Sequence, residues 1–138
     1  MKPILRIVVA LALISALTSC GGSADQKWVK LATEEYDIME EYADLVESIN
    51  NAEEAKKAVP LIEELTERMK ANRAKLDKLA EPDPTNIPEV AADMSERSFT
   101  LLGRCSAFSW DLPPNQELGP ILIDTVNAFE KSYTRSAD

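Results

Sequence analysis

The run NAEEAKKAVPLIEELTERMKANRAKLDKLA, residues 51–80, decides the fold class. Ala55, Ala58, Ile62, Leu65, Met69, Asn72, Leu76 and Leu79 recur at alternating steps of three and four. That spacing lays one stripe along a helix of 3.6 residues per turn and fits no strand face. The segment therefore predicts a long helix with one polar seam position, Asn72. A buried asparagine there would select pairing register, and imperfect packing would instead leave it exposed. Asn51 followed by Glu54 predicts the helix start, since an asparagine side chain accepts from the first free amides. Pro60 lacks an amide hydrogen and crowds the preceding turn, at about 3 kcal/mol if nothing compensates. A kink, or a break with a short leading helix, is expected there.

The preceding segment, 27–50, carries Trp28, Leu31, Ile38, Tyr42, Leu45 and Ile49 in one stripe, with Glu35 as its polar interruption. Asn50-Asn51 separates the two helices, and a connection that short predicts an antiparallel hairpin. Pro82 and Pro84 end it, because two prolines in three residues cannot continue a helix. A third helix is predicted from about Pro88 to Trp110, with Ala91, Met94, Ser98, Leu101, Cys105 and Phe108 on its stripe and Val90 and Leu102 alongside. Asp111-Leu112-Pro113-Pro114 breaks it. A fourth helix, starting between Asn115 and Pro120, carries Leu118, Ile121, Leu122, Val126, Phe129 and Tyr133. Nothing alternates with period two over a useful length, and glycine is scarce. The fold class is all-α: an antiparallel helical hairpin extended to a four-helix bundle-like domain. The coarser alternative is a protruding hairpin with two shorter helices packed at one end. The hairpin, with its asparagine turn, its alanines and lysines, and a proline followed by a leucine-rich run, resembles a type of small secreted helical protein of environmental bacteria. That resemblance implies a helical fold and no activity.

At the start of the chain, Lys2 and Arg6 precede an apolar run over residues 7–14, the charged and apolar regions of a signal peptide. The run is too short for a stable span, which needs about 20 apolar residues. It ends in Leu17-Thr18-Ser19-Cys20, which resembles the lipobox of bacterial lipoproteins: a branched apolar residue, two small residues and a cysteine. The resemblance implies cleavage between Ser19 and Cys20, a diacylglyceryl group on the Cys20 thiol, and a protein held in the cell envelope by its lipid. Two or three acyl chains anchor firmly, where one does so only marginally. Gly21 stands where the inner-membrane retention signal of enteric lipoproteins has aspartate, which implies the outer membrane. An ordinary signal peptide cut near Ala16 or Ser19 would leave Cys20 an incidental thiol. The domain reading is a signal peptide over 1–19, a lipidated tether over 20–26 and a single helical domain over 27–138.

Removing Lys2 and Arg6 from the 15 basic residues leaves 13 against 24 acidic ones, a net charge of −11. This argues against nucleic acid, whose phosphates need clustered cations, and against a second contact with anionic lipid heads. With Cys20 lipidated, Cys105 has no intramolecular disulfide partner. The chain holds no histidine, which removes Ser-His-Asp and Cys-His nucleophile systems and His-ligated metals. No cofactor, catalytic constellation or dedicated metal site is expected. Cys105, between Leu101 and Phe108, reads as a small core residue.

From Leu31 to Ala55 there is no basic residue, and Asp37, Glu40, Glu41 and Asp44 sit at helical steps of three and four. They could form a surface for a basic partner. In an antiparallel hairpin, however, the basic stretch from Arg68 to Lys78 would lie beside them and neutralise the face. Calcium normally takes six to eight oxygens from a turning loop, and no such loop pattern occurs. Arg97 and Arg104 share a face of the third helix and could hold an anion, although Asp93, four before Arg97, offers an ordinary surface pair. Trp110 beside Pro113 and Pro114 could present an apolar patch to a partner, or plug the end of the bundle. Together these features are read as a lipid-anchored, non-enzymatic interaction module that holds another envelope protein. The alternative is a binder of small ligands or divalent cations.

Overall fold

The computed structural model describes residues 23–134. Its elements are α1 (Ala24–Glu47), α2 (Ala52–Leu76), a 3-10 turn at Pro84–Asn86, α3 (Pro88–Asp111) and α4 (Gly119–Tyr133). No strand occurs among the described residues. The all-α, bundle-like expectation holds.

Ser23 starts α1 with a complete capping box: its side chain accepts from Gln26 N, and the Gln26 side chain accepts from Ser23 N. The helix thus begins at Ala24, and Ala24–Gln26, assigned to the tether by sequence, are helical. Cys20 and Ser19 lie outside the described residues. Asn51 caps α2 as expected, accepting from Glu54 N at 3.0 Å. Glu117, from the α3–α4 corner, accepts from Ala52 N at 3.0 Å and satisfies another free amide.

Pro60 does not break α2, which runs unbroken through it. The ring sits on the exposed face, and Lys56, whose carbonyl loses its partner, is exposed too. Water can therefore replace the missing bond.

The helices run alternately up and down. Arg68 pairs with Glu41 and Arg73 with Glu35, so α2 is antiparallel to α1. Arg97 pairs with Asp37 and Glu40, Arg104 with Asp44 and Glu47, so α3 runs parallel to α1 and beside it. The start of α4 meets the start of α2, and Ala128, Lys131 and Ser132 lie by Lys70, Ala74 and Asp77. The neighbours are α1 with α2 and α3, and α4 with α2, while α3 touches α4 only lightly. A simple up-down bundle would make every neighbouring pair antiparallel; here two pairs are parallel. The connection over residues 77–87, with its prolines, is long enough to carry the chain across the end of the bundle.

The main core joins Ile38, Tyr42, Val46, Ile62, Leu65 and Met69 to Cys105, Leu122, Val126 and Phe129. At its centre the Tyr42 and Phe129 rings stack across the bundle, 3.9 Å apart at 12°, and Tyr133 meets Phe129 edge-on at 5.6 Å. A satellite cluster of Ala32, Leu76 and Met94, flanked by Trp28 and Leu31, closes the end where α1 starts. Leu112 and Leu118 close the other end. There α4 approaches so tightly that a Cβ on Gly119 would stand 2.6 Å from the Leu112 carbonyl oxygen. Only glycine permits that contact.

Candidate interaction surfaces

Each of the acids singled out by sequence is occupied by an arginine. Arg97 Nη2 donates to Asp37 Oδ1 at 2.7 Å and to Glu40 Oε2 at 2.8 Å. Arg104 donates to Asp44 at 2.7 Å and through two nitrogens to Glu47 at 2.8 and 2.7 Å. Arg68 forms a fork on Glu41 at 2.6 and 3.0 Å. The neutralisation expected from α2 is thus shared with α3, and Arg97 turns to α1 instead of pairing with Asp93. The pairing holds Arg104 above its usual value, through the hydrogen bonds it donates to Glu47 and Asp44, and Glu47 below its own. Burial opposes the charge on Arg97, but Asp37 and Glu40 outweigh it.

Glu35, the interruption in the α1 stripe, is explained by Arg73, which donates to both its oxygens at 2.7 and 2.8 Å. Their side chains are 12% and 19% exposed, making this the most enclosed ion pair among the described residues. Beside it Asn72 is buried and donates to the Leu31 carbonyl at 2.8 Å. That bond ties α2 to α1 at one register, as the seam position suggested.

Among the described residues no three Asp, Glu, Cys or His side chains converge on a metal position. Cys105 is buried, its Sγ directed at the Met39 carbonyl oxygen 3.9 Å away. Burial pushes its thiol up to about 11, away from the thiolate that nucleophilic or redox work needs. Burial also raises Tyr42 and Tyr133.

Trp110 does not plug the bundle: it is 79% exposed, and Phe99 on the same helix is 84% exposed. With Ser95, Leu102 and Gly103 they form an outward face of α3, at steps of three and four, that carries no charge. A shallow groove of about 580 Å³ flanks it, with Phe99, Gly103, Ala107 and Phe108 on one side and Glu47, Arg104 and Asp111 at its charged rim. A Cβ on Gly103 would meet nothing within 4 Å beyond its own stretch of helix, so the groove is open there. Sequence reasoning named Trp110 and missed Phe99. The available signal was a second apolar spacing, Phe99, Leu102 and Trp110, alongside the inward one.

Among the described residues no helix is long and apolar enough to cross a membrane. The fold and its surfaces define an all-α bundle with an arginine-clamped third helix. No known protein family matches the chain, and no curated protein or solved structure shows significant similarity to it.

Proposed function

We propose that the chain is an envelope lipoprotein, anchored through Cys20 to the outer membrane, whose helical domain is a non-enzymatic module that binds another envelope protein through the outer face of α3. The observation that carries this reading is the exposure of Phe99 and Trp110 on one uncharged helix face of an otherwise acidic molecule. Large aromatics left in water on a rigid helix are the side chains that dominate partner binding, because little entropy is lost when they are covered. The acidic stripe is a weaker surface for a partner, since Asp37, Glu40, Glu41 and Asp44 already hold arginines.

The test has two parts. Mass measurement of the mature N-terminal peptide, beside a Cys20→Ala version, should find a diacylglyceryl-modified Cys20; an unmodified soluble product would end the anchor reading. A photo-crosslinking residue at position 102 in cells should then give one adduct of defined mass. The same probe at exposed Glu63 on α2 should give none. Loss of the adduct in a correctly folded Phe99→Ser/Trp110→Ser variant supports the α3 face, and its persistence there would overturn it.

A further inference from the structure

Charge is sorted along the molecule. Lys56 and Lys70 pair with Glu53 and Glu67, and the arginines of α2 and α3 are taken by the acids of α1 and α2. Of the six lysines without an ion pair among the described residues, four, Lys27, Lys30, Lys75 and Lys78, line a single groove of about 470 Å³, while Lys57 and Lys131 lie elsewhere. Its floor is Leu31 and Leu79, and Glu34 is its one acid. Such a site suits lysine stems lying on apolar surface with their ammonium groups at the rim. The groove lies where α1 begins and α2 ends. Only two residues, Gly21 and Gly22, separate Cys20 from Ser23, the cap of α1, so an anchor on Cys20 holds this end within about 10 Å of the bilayer.

We infer that this groove is the contact of the domain with the phosphate headgroups of an anionic phospholipid membrane. The inference rests on the proposed anchor. It also reverses the argument from net charge. At physiological salt a charge acts over about 8 Å, and Asp37 stands about 15 Å along α1 from Lys27 at 1.5 Å per residue. The acidic stripe is therefore screened from the membrane, besides being paired. Asp25 is nearer, but it is two residues from Lys27 and about 200° round α1; Asp77, one residue before Lys78, faces Arg73 at 3.8 Å; Asp83 and Glu89, which the start of α3 brings to this end, lie outside the groove lining. Glu81 follows beyond the end of α2. A lipid anchor and a basic contact at the same end would fix the tilt of the bundle. That tilt would carry Trp110, which lies by the far end of α1, about 30 Å from the bilayer.

The experiment uses the full chain, expressed as precursor and purified in its mature form. The protein is reconstituted into vesicles of pure phosphatidylcholine, or of phosphatidylcholine with phosphatidylglycerol, and its lysines are acetylated and read by mass spectrometry. Expected is protection of Lys27, Lys30, Lys75 and Lys78 on phosphatidylglycerol vesicles only, lost at 0.5 M salt on the order of the screening argument. Lys56 and Lys57 at the other end of α2 should label alike throughout. Equal labelling of all six on both vesicles overturns the inference while leaving the anchor intact. If Cys20 carries no lipid, the anchor fails on mass alone. Co-sedimentation of that chain with phosphatidylglycerol vesicles at low salt then decides, with each Lys→Gln change expected to weaken partitioning by up to about fivefold. A quadruple Lys→Gln variant that keeps its helical signal yet sediments like the parent would sink the groove.

Discussion

α2 buries eight of its 25 residues and α3 three of its 24, although both read as long amphipathic helices. The difference lies in what each helix touches. α2 lies between α1 and α4, so its stripe is covered from two sides, and each fully buried aliphatic side chain there contributes about 1.5–3 kcal/mol. α3 rests on α1 and hardly meets α4. Met94, Leu101 and Cys105 are its buried residues, and Arg97 and Arg104 reach past them to the acids of α1. Partly exposed ion pairs contribute about 0–1 kcal/mol each and weaken with salt. One part of the domain is held by a stripe covered from two sides, the other by a narrower apolar contact with arginine clamps at its rim. The less buried element carries the exposed aromatic face.

The largest effect that would test this contrast is Phe129→Ala. Phe129 is fully buried and stacked on Tyr42, so its removal should cost about 3–5 kcal/mol in urea unfolding. Met94→Ala, in the satellite cluster beneath α3, should cost about 2 kcal/mol, the bottom of the range for such a truncation. Equal costs would mean that α3 is packed as firmly as the rest.

Next in size is the pair Arg97→Gln/Arg104→Gln, expected to cost about 1–2 kcal/mol because its partners are largely solvated. The informative readout is local. Amide exchange in α3 should rise while α1 and α2 keep their protection, and the buried Cys105 thiol should label faster. Salt at about 1 M, where screening reaches about 3 Å, should do the same to the parent and add little to the variant. Acid gives an independent check. Glu47 has a depressed folded value, caused first by its hydrogen bond from Arg104. Its stabilisation is present above the ordinary glutamate range and disappears as pH falls through the depressed value. That fall should be smaller in the arginine variant. Uniform exchange changes across all four helices would instead make the clamps part of one cooperative core.

The same contrast explains what was legible beforehand. The stripes of the hairpin and of α4 alternate cleanly because one face of each helix is covered, so Ile62, Met69, Val126 and Phe129 fell where spacing put them. Asn72 kept its place because the Leu31 carbonyl offers it a partner. Ser98 on the α3 stripe is only half-buried, and Phe99 beside it is exposed. A helix covered on one narrow side can carry apolar residues on two faces, and spacing alone does not say which turns inward. The partner of Arg97 was also hidden, since Asp93 is near in sequence whereas Asp37 and Glu40 are near only once α3 lies parallel to α1. The order of helices round the bundle depends on the connection over residues 77–87, whose path no periodicity records.

The smallest expected effect concerns Tyr42, where the two regions meet. Its hydroxyl is fully buried without a hydrogen-bond partner, and burying such a group unmet costs about 1–3 kcal/mol. Tyr42→Phe keeps the ring stack and removes that cost, so the variant should be more stable by about 1 kcal/mol at neutral pH. The alkaline limb should move with it. Tyr42 and Cys105 have raised folded values, Cys105 up to about 11. Their contribution is therefore complete below the ordinary thiol value of 9.0 and is lost as pH rises through the folded ones. With Tyr42 gone, the thiol and Tyr133 are the groups raised by burial that remain, and stability should decline less between pH 9 and about 11. A destabilised Tyr42→Phe protein would show that the hydroxyl has a partner in solution. In that case the hydroxyl, and not the ring stack alone, holds the centre of the core together.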